Sequence, residues 1–350
     1  MEVGLIGSAI GFGSLDWYTK GLYDGLRKEG INVEVIWSPQ PTFVGGQTLH
    51  HSFLLPSHIL KVAKKFDIIH ATQLGFTVIF PFLRGIGRVV TIHDLIPLLY
   101  PEEFSHSIPS KCINLSAFFF WLSTSKCAEK IIADSSQTKS DIVRFGYPKE
   151  KIEVVNLWIR PTIRRVKVKK NKTVLGYLGA VTYRKDVKYI IKAFHEFQKY
   201  DKNAALWICG SGSDPRYVEE VKGLTIELGI AKKVIFMESL PEEEISKIYS
   251  SFDVFVSGTR SEGFGLIILE AQKCGVPVIV REEARIPEEV KRYCIQAKSP
   301  KDMAEKAFNI IKNEKFRQKQ VKLGMGYAAK FNLQKAIKKT INVYEELVKY

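Results

Sequence analysis

Short apolar runs alternate along the chain with longer amphipathic stretches, and that alternation predicts strands and helices in turn. Val3 to Gly7 reads as a strand. After a glycine-bearing loop, Leu15, Tyr18, Leu22 and Leu26 recur at three- and four-residue steps, the spacing of one helical face. Val33 to Trp37, Asp67 to His70, Val89 to His93 and Lys130 to Asp134 follow as further strands. Between Arg160 and Lys172 the pattern lapses into a basic stretch without helical spacing, which predicts a connection between domains. A second strand series then begins, at 173–178, 205–209, 234–237, 254–257 and 277–280. The closing stretch, Leu333 to Tyr350, predicts an amphipathic helix that packs back on the first domain. The expected architecture is α/β: two doubly wound parallel-sheet domains, 1–165 and 166–332, a final helix 333–350, and a cleft at the carboxyl edges of the strands.

Composition narrows the function classes. A chain of 350 residues, 45% hydrophobic and 25% charged, is an ordinary globular protein with room for two cores. Its 52 Lys and Arg against 37 Asp and Glu leave a net charge of +15, spread over both halves, which favours anionic partners. No helix concentrates Lys and Arg on one face, so specific nucleic-acid binding is not expected. Met1 to Leu5 lacks a basic region ahead of an apolar core, and no apolar run is long enough to span a bilayer, so a cytoplasmic protein is expected. Five separated cysteines form neither a CxxC pair nor a Cys/His cluster, and no Asp-x-Asp pair occurs, so neither a disulfide framework nor a bound metal is expected. Ile113 to Leu122 is a dense apolar segment with Lys111, Lys126 and Lys130 beside it. It fits a buried helix of the first domain, or an interfacial helix in peripheral contact with the inner face of a membrane.

The most informative stretch runs from Ser257 to Val280 as strand, glycine loop, helix, glycine stop and proline-led strand. Gly263 and Gly265 let backbone approach a ligand where a helix begins, and the free N–H groups there suit phosphate or hydroxyl oxygens. Glu262 lies in the loop and Glu270 on the helix, two carboxylates that can accept hydrogen bonds from vicinal sugar hydroxyls. In the first domain, the loop from Gly7 to Ser14, with Gly11 and Gly13, follows the first strand like a phosphate-binding turn. Its third glycine position holds Asp16; Glu34 at the end of the second strand nonetheless keeps an NAD-dependent oxidoreductase open as an alternative. His93, at a strand end, is either a satisfied structural histidine or a site residue, and Asp94 can cap the next turn.

The segment from Glu262 to Leu266, the Leu269-Glu270-Ala271 that follows, the Cys274-to-Val278 segment and the spacing between the two glutamates resemble the signature of the family-4 retaining glycosyltransferases. Lys130 to Ile142, Thr91 to Leu95 and Gly179 to Lys185 are similar to further family segments, in the same order. The resemblance implies a GT-B fold of two Rossmann-like domains, acceptor side first and nucleotide-sugar side second. It implies that a hexose, glucose or mannose, passes from a GDP- or UDP-linked donor to a hydroxyl of a glycan or lipid-linked acceptor, without cofactor or metal. Glu270 would hold the donor ribose and Glu262 the transferred sugar, with Gly263, Phe264, Gly265 and Leu266 at the sugar and phosphate oxygens. Arg184 and Lys185 would neutralise the leaving diphosphate, His93 would contact the sugar, and the Gly11/Gly13 loop would close on the donor. Two departures stand out: Ala180 replaces the arginine that often follows the glycine at 179, and Val155-Asn156-Leu157-Trp158 replaces a Pro-Asn-Gly.

Overall fold

The computed structural model of the chain describes residues 1–8, 14–38, 55–100, 108–238 and 240–348. The chain divides into two compact units, Met1–Leu157 with Leu333–Tyr350, and Trp158–Asn332.

The first unit is built on strands β1 (Glu2–Ser8), β2 (Asn32–Ser38), β3 (Ile68–Ala71), β4 (Gly87–Ile92), β5 (Lys130–Ala133) and β6 (Ile152–Val154). They pair in parallel in the order β2-β1-β3-β4-β5-β6, with Val3 in register between Val33 and Ile68. Apolar residues run almost unbroken through these strands because helices cover both sheet faces. Val3, Leu5, Ile6, Ile68, Ile69, Val89 and Val90 are fully buried. The helix Ser14–Lys28 buries Tyr18, Leu22 and Leu26, the residues whose spacing announces it. The closing helix Leu333–Val348 belongs to this unit, and its Tyr344 hydroxyl meets His70 Nδ1 at 2.6 Å. The helix Ile108–Ser125 divides the apolar segment between its two readings. Phe118 and Leu122 enter the core, while Ile113, Phe119 and Phe120 are 60%, 55% and 49% exposed.

The second unit carries β7 (Val174–Leu178), β8 (Ala205–Cys209), β9 (Val234–Met237), β10 (Val254–Ser257), β11 (Val278–Arg281) and β12 (Ile295–Ala297), again all parallel, ordered β12-β11-β10-β7-β8-β9. The basic stretch 160–172 belongs to this unit, so the division falls ahead of it, at Leu157/Trp158. Local anchoring explains why: Ile163 is fully buried, and the N–H groups of Arg164 and Val166 donate to the hydroxyls of Ser246 and Ser250 at 3.2 and 2.9 Å. In the second sheet the strand order reverses between β7 and β10, and the loops leaving the carboxyl ends of those two strands flank the crevice that such a reversal opens.

Candidate functional site

Three loops leave the carboxyl edge of the second sheet beside that reversal: 179–186 after β7, 258–265 after β10 and 282–287 after β11. Main-chain hydrogen bonds bind them into one frame. Arg260 N–H donates to the Arg184 carbonyl at 2.8 Å, Arg285 N–H to the Arg260 carbonyl at 2.8 Å, and Glu262 N–H to the Arg285 carbonyl at 2.9 Å. The Tyr177 hydroxyl donates to the Ala180 carbonyl at 2.8 Å. Asp186, at φ +43°, closes the first loop, and its carboxylate lies 3.1 Å from Arg281 and 3.4 Å from Arg260. A non-glycine residue in that region costs free energy, and the arginines that converge on Asp186 are what hold it there.

Lys185 and Glu262, 77 positions apart, meet inside this frame. The ammonium donates to Glu262 Oε2 at 2.5 Å, and the two residues are only 8% and 5% exposed. Arg184 Nη1 lies 3.8 Å from the same oxygen and donates to the Ser261 carbonyl at 2.6 Å. Burying one carboxylate with two cations leaves positive charge in excess where an anionic group can be received.

Gly263 and Gly265 follow directly. Gly265 adopts φ +101°, left-handed backbone that a side chain would strain, and the helix Leu266–Lys273 starts there without any side-chain cap. The first-turn N–H groups of a helix have no partner within it, so this terminus offers donors and the positive end of the helix dipole. Phe264 is buried against Phe331, ring centroids 5.9 Å apart, so it offers a ligand its main chain, while Leu266 is half-buried.

Glu270, on the same helix, is 3% exposed rather than a solvated helix residue. Arg160 Nε donates to its Oε1 at 3.1 Å, while Arg160 Nη2 and the Tyr249 hydroxyl donate to its Oε2 at 3.3 and 3.0 Å. Burial alone would lower the Arg160 pKa, but the Glu270 charge and hydrogen bonds outweigh it and raise it. Burial first, then Glu270, pushes Tyr249 far above the usual phenol range. Sequence reasoning did not single out Arg160 or Tyr249. Arg160 is 110 positions from Glu270, and its only signal was its place at the head of a basic stretch.

His93 belongs to the first unit, just beyond β4. Its Nδ1 lies 2.7 Å from Asp134 Oδ2 and its Nε2 3.0 Å from the Thr72 carbonyl. A carbonyl and a carboxylate oxygen facing the two ring nitrogens favour the doubly protonated imidazole. Burial opposes this, but the Asp134 charge and hydrogen bond, with smaller help from Asp94 and Thr72, raise its pKa. Tyr18 packs edge-on against the ring, centroids 4.8 Å apart, and Thr138 Oγ1 donates to the His93 carbonyl at 3.3 Å. Asp94 caps the next turn, accepting from Ile96 N–H at 3.0 Å. Gly11 and Gly13 lie outside the described residues. Glu34, which kept an oxidoreductase open, is exposed and pairs with Lys65 at 2.5 Å.

Comparison with known proteins accounts for most of the chain. The family model described as Glycosyltransferase Family 4 matches residues 16–162, and the model described as Glycosyl transferases group 1 matches residues 159–325. An uncharacterized glycosyltransferase of Methanocaldococcus jannaschii is 25% identical, over 95% of this chain and 94% of its own. The alpha-maltose-1-phosphate synthase of Mycolicibacterium smegmatis is 28% identical, over 76% of this chain and 72% of its own. Among solved structures, Anabaena HepE in complex with UDP and glucose superposes with a TM-score of 0.76 at 16% identity, covering 99% of this chain and 100% of that one. Two six-stranded parallel sheets, one in each unit, are those of the GT-B fold, and the chain belongs to the group 1, family-4 glycosyltransferases.

Proposed function

We propose that the chain is a retaining hexosyltransferase that moves glucose or mannose from a UDP- or GDP-linked donor to a hydroxyl of a glycan or lipid-linked acceptor. The observation that carries this reading is the buried Lys185–Glu262 contact, with Arg184 beside it, next to an uncapped helix start. In this reading the bond from the anomeric carbon to the diphosphate oxygen breaks, and its electron pair leaves with the nucleoside diphosphate. Arg184, Lys185 and the N–H groups around Gly263 to Leu266 stabilise the developing negative charge. The acceptor oxygen bonds to the same face of that carbon, and its proton passes to the departing phosphate. Glu262 orients the sugar hydroxyls and Glu270, steadied by Arg160 and Tyr249, the ribose; His93 and the Gly11/Gly13 loop serve the donor from the first, acceptor-side unit.

UDP and glucose in Anabaena HepE, and the glycosyl-transfer names of the curated relatives, support a nucleotide sugar as donor. The exposed Phe119, Phe120 and Ile113, with Lys111 nearby, support peripheral contact with an anionic membrane, where a lipid-linked acceptor would reside. A thermal-shift panel of UDP-glucose, GDP-mannose and ADP-glucose tests the donor, since a ligand at about 100 Kd stabilises the native state by about 2.7 kcal/mol. NMR of the product then reads the anomeric configuration. A donor that shifts wild type but not Glu270→Gln, followed by an α-linked product from an α-linked donor, is expected. No shift with any nucleotide sugar, or an inverted product, overturns the reading.

A further inference from the structure

The second unit contains a cavity of about 470 Å3 at the opposite, amino edge of its sheet. It is walled by the residues that precede β10 and β11, by the basic stretch 165–170 and by the helix Glu314–Ala328. Arg165, Lys167, Lys170 and Arg317 line it. Asp253 is the carboxylate that answers them: its Oδ1 lies 3.0 Å from Lys170 Nζ and 3.4 Å from Arg317 Nη2. Its Oδ2 is taken by the Val174 N–H at 2.8 Å. Among the described residues, neither Arg165 nor Lys167 has an acidic partner. Four cations against one carboxylate leave a positive excess in a concave space of small-ligand size. Gly275, at φ +76°, makes room for this wall: a Cβ there would come within 3.1 Å of Arg165 Cδ and Nε. Burial lowers the Lys170 pKa, against the opposing charge and hydrogen bond of Asp253, with smaller help from the guanidinium groups of Arg317 and Arg165.

We infer that this cavity is a second anion site, which binds a small soluble phosphorylated molecule through Arg165, Lys167, Lys170 and Arg317, apart from the loops of the transferase site. Two guanidinium forks and two ammonium groups match a phosphate ester or a diphosphate better than a single carboxylate. A concave, half-open space of this size suits a free metabolite better than a flat lipid surface. The helix Leu266–Lys273, about 12 Å long at 1.5 Å per residue, begins at Gly265 of the transferase site and ends at Cys274 and Gly275 in the cavity wall. Occupancy at one end is therefore positioned to bias the other.

The test is calorimetric titration of the full-length protein with inorganic pyrophosphate, in wild type, in Lys185→Met, in Arg165→Gln/Lys167→Gln and in the triple variant. Arg165 and Lys167 are exposed and without acidic partners, so the fold tolerates their loss; Lys167→Glu alone repeats the test should the pair disturb the unliganded melting point. Expected in Lys185→Met is retained binding that weakens with ionic strength and falls at least about tenfold further in the triple variant. Binding in the triple variant undiminished from that of Lys185→Met overturns the second site. So does binding abolished by Lys185→Met alone, a result that leaves the transferase reading intact. If Lys185→Met changes nothing while the double variant loses binding, the second site stands and the transferase role of Lys185 falls. Sedimentation with phosphatidylglycerol vesicles that depends on Arg165 and Lys167, without pyrophosphate binding, overturns the soluble ligand in favour of a lipid headgroup.

Discussion

The Arg160–Glu270 pair makes an asymmetric demand on stability. The Glu270 carboxylate is 4% exposed, and two of its three hydrogen bonds come from Arg160. Removing one partner of a buried pair costs about 3–5 kcal/mol, because the other charge stays buried without compensation. Arg160→Met belongs at the low end, about 3 kcal/mol, since the Tyr249 hydroxyl still donates to Glu270. Glu270→Gln leaves a different orphan. The Arg160 side chain is 21% exposed, has Glu242 at 3.7 Å, and still finds the amide oxygen as acceptor. That substitution is expected to cost about 1 kcal/mol. Adding Arg160→Met to Glu270→Gln then costs about 1 kcal/mol more instead of about 3, so the pair couples by about 2 kcal/mol. Native-state thiol labelling with peptide-level mass spectrometry reads this within the second unit. Cys209 and Cys274 are buried there, their thiols pushed up to about 12 by burial, whereas the exposed Cys112 of the first unit calibrates the reagent. Cys209 is the primary reporter, because the Cys274 thiol feels Glu270 directly. A loss of 3 kcal/mol raises labelling of Cys209 about 150-fold, and a loss of 1 kcal/mol about fivefold. Equal acceleration in the two single variants, or less than about threefold in Arg160→Met, would refute the reasoning.

Three further outcomes follow from the same geometry. Lys185→Met keeps the length of the side chain and removes its charge; turnover is expected to fall about 10²–10³-fold in a nucleoside diphosphate release assay, and turnover within about threefold of wild type removes Lys185 from the chemistry. His93 has a raised pKa in the folded state, so its pairing with Asp134 stabilises fully below the unfolded value of about 6.5 and is lost as pH rises through the folded value. The urea midpoint of the first unit should therefore fall with rising pH in that range, and Asp134→Asn should flatten the fall; an unchanged slope in the variant contradicts the pairing. Gly265→Ala places a side chain at φ +101° at a cost of about 1–2 kcal/mol. It should lower the unliganded melting point by about 2–8 °C and abolish the donor-induced shift, and a full donor shift in that variant would mean the left-handed turn is dispensable.

The parts of the fold legible in the sequence were those with enough buried length to show a period. β1, β4 and β8 carry runs of residues buried on both faces, and the helix Ser14–Lys28 repeats its buried residues every three or four positions. β6 and β12 escaped because each is three residues long at the edge of its sheet, with Glu153 and Gln296 facing solvent. A period cannot be read from one and a half repeats. The basic stretch 160–172 lacks a readable period for a different reason. It is tied down through main-chain N–H groups that donate to Ser246 and Ser250, a mode of anchoring that leaves no apolar pattern.

The candidate site divides along the same line. The glycine loop and the helix after it were legible because Gly265 answers to a local backbone constraint, the positive φ at a helix start, which the residue type itself advertises. The charge pairing was not, because it is made between loops that only the sheet topology brings together. Lys185 finds Glu262 across 77 positions, and Arg160 finds Glu270 across 110. The consequence reaches the chemistry. A carboxylate drawn as a free acceptor for sugar hydroxyls is, in the folded chain, already bound by a cation. On the proposed function, a ligand hydroxyl must therefore share its oxygens with that cation or displace it. A carboxylate has about four lone-pair positions, and three hydrogen bonds reach Glu270, so sharing is open to it. Sharing keeps both buried charges compensated and fixes the carboxylate plane before the ligand arrives, whereas displacement would strand Lys185 or Arg160 at a cost of several kcal/mol. On the proposed function, the pairs are the scaffold that pre-orients the acceptors, and loss of Arg160 or Lys185 damages binding even where neither touches the sugar.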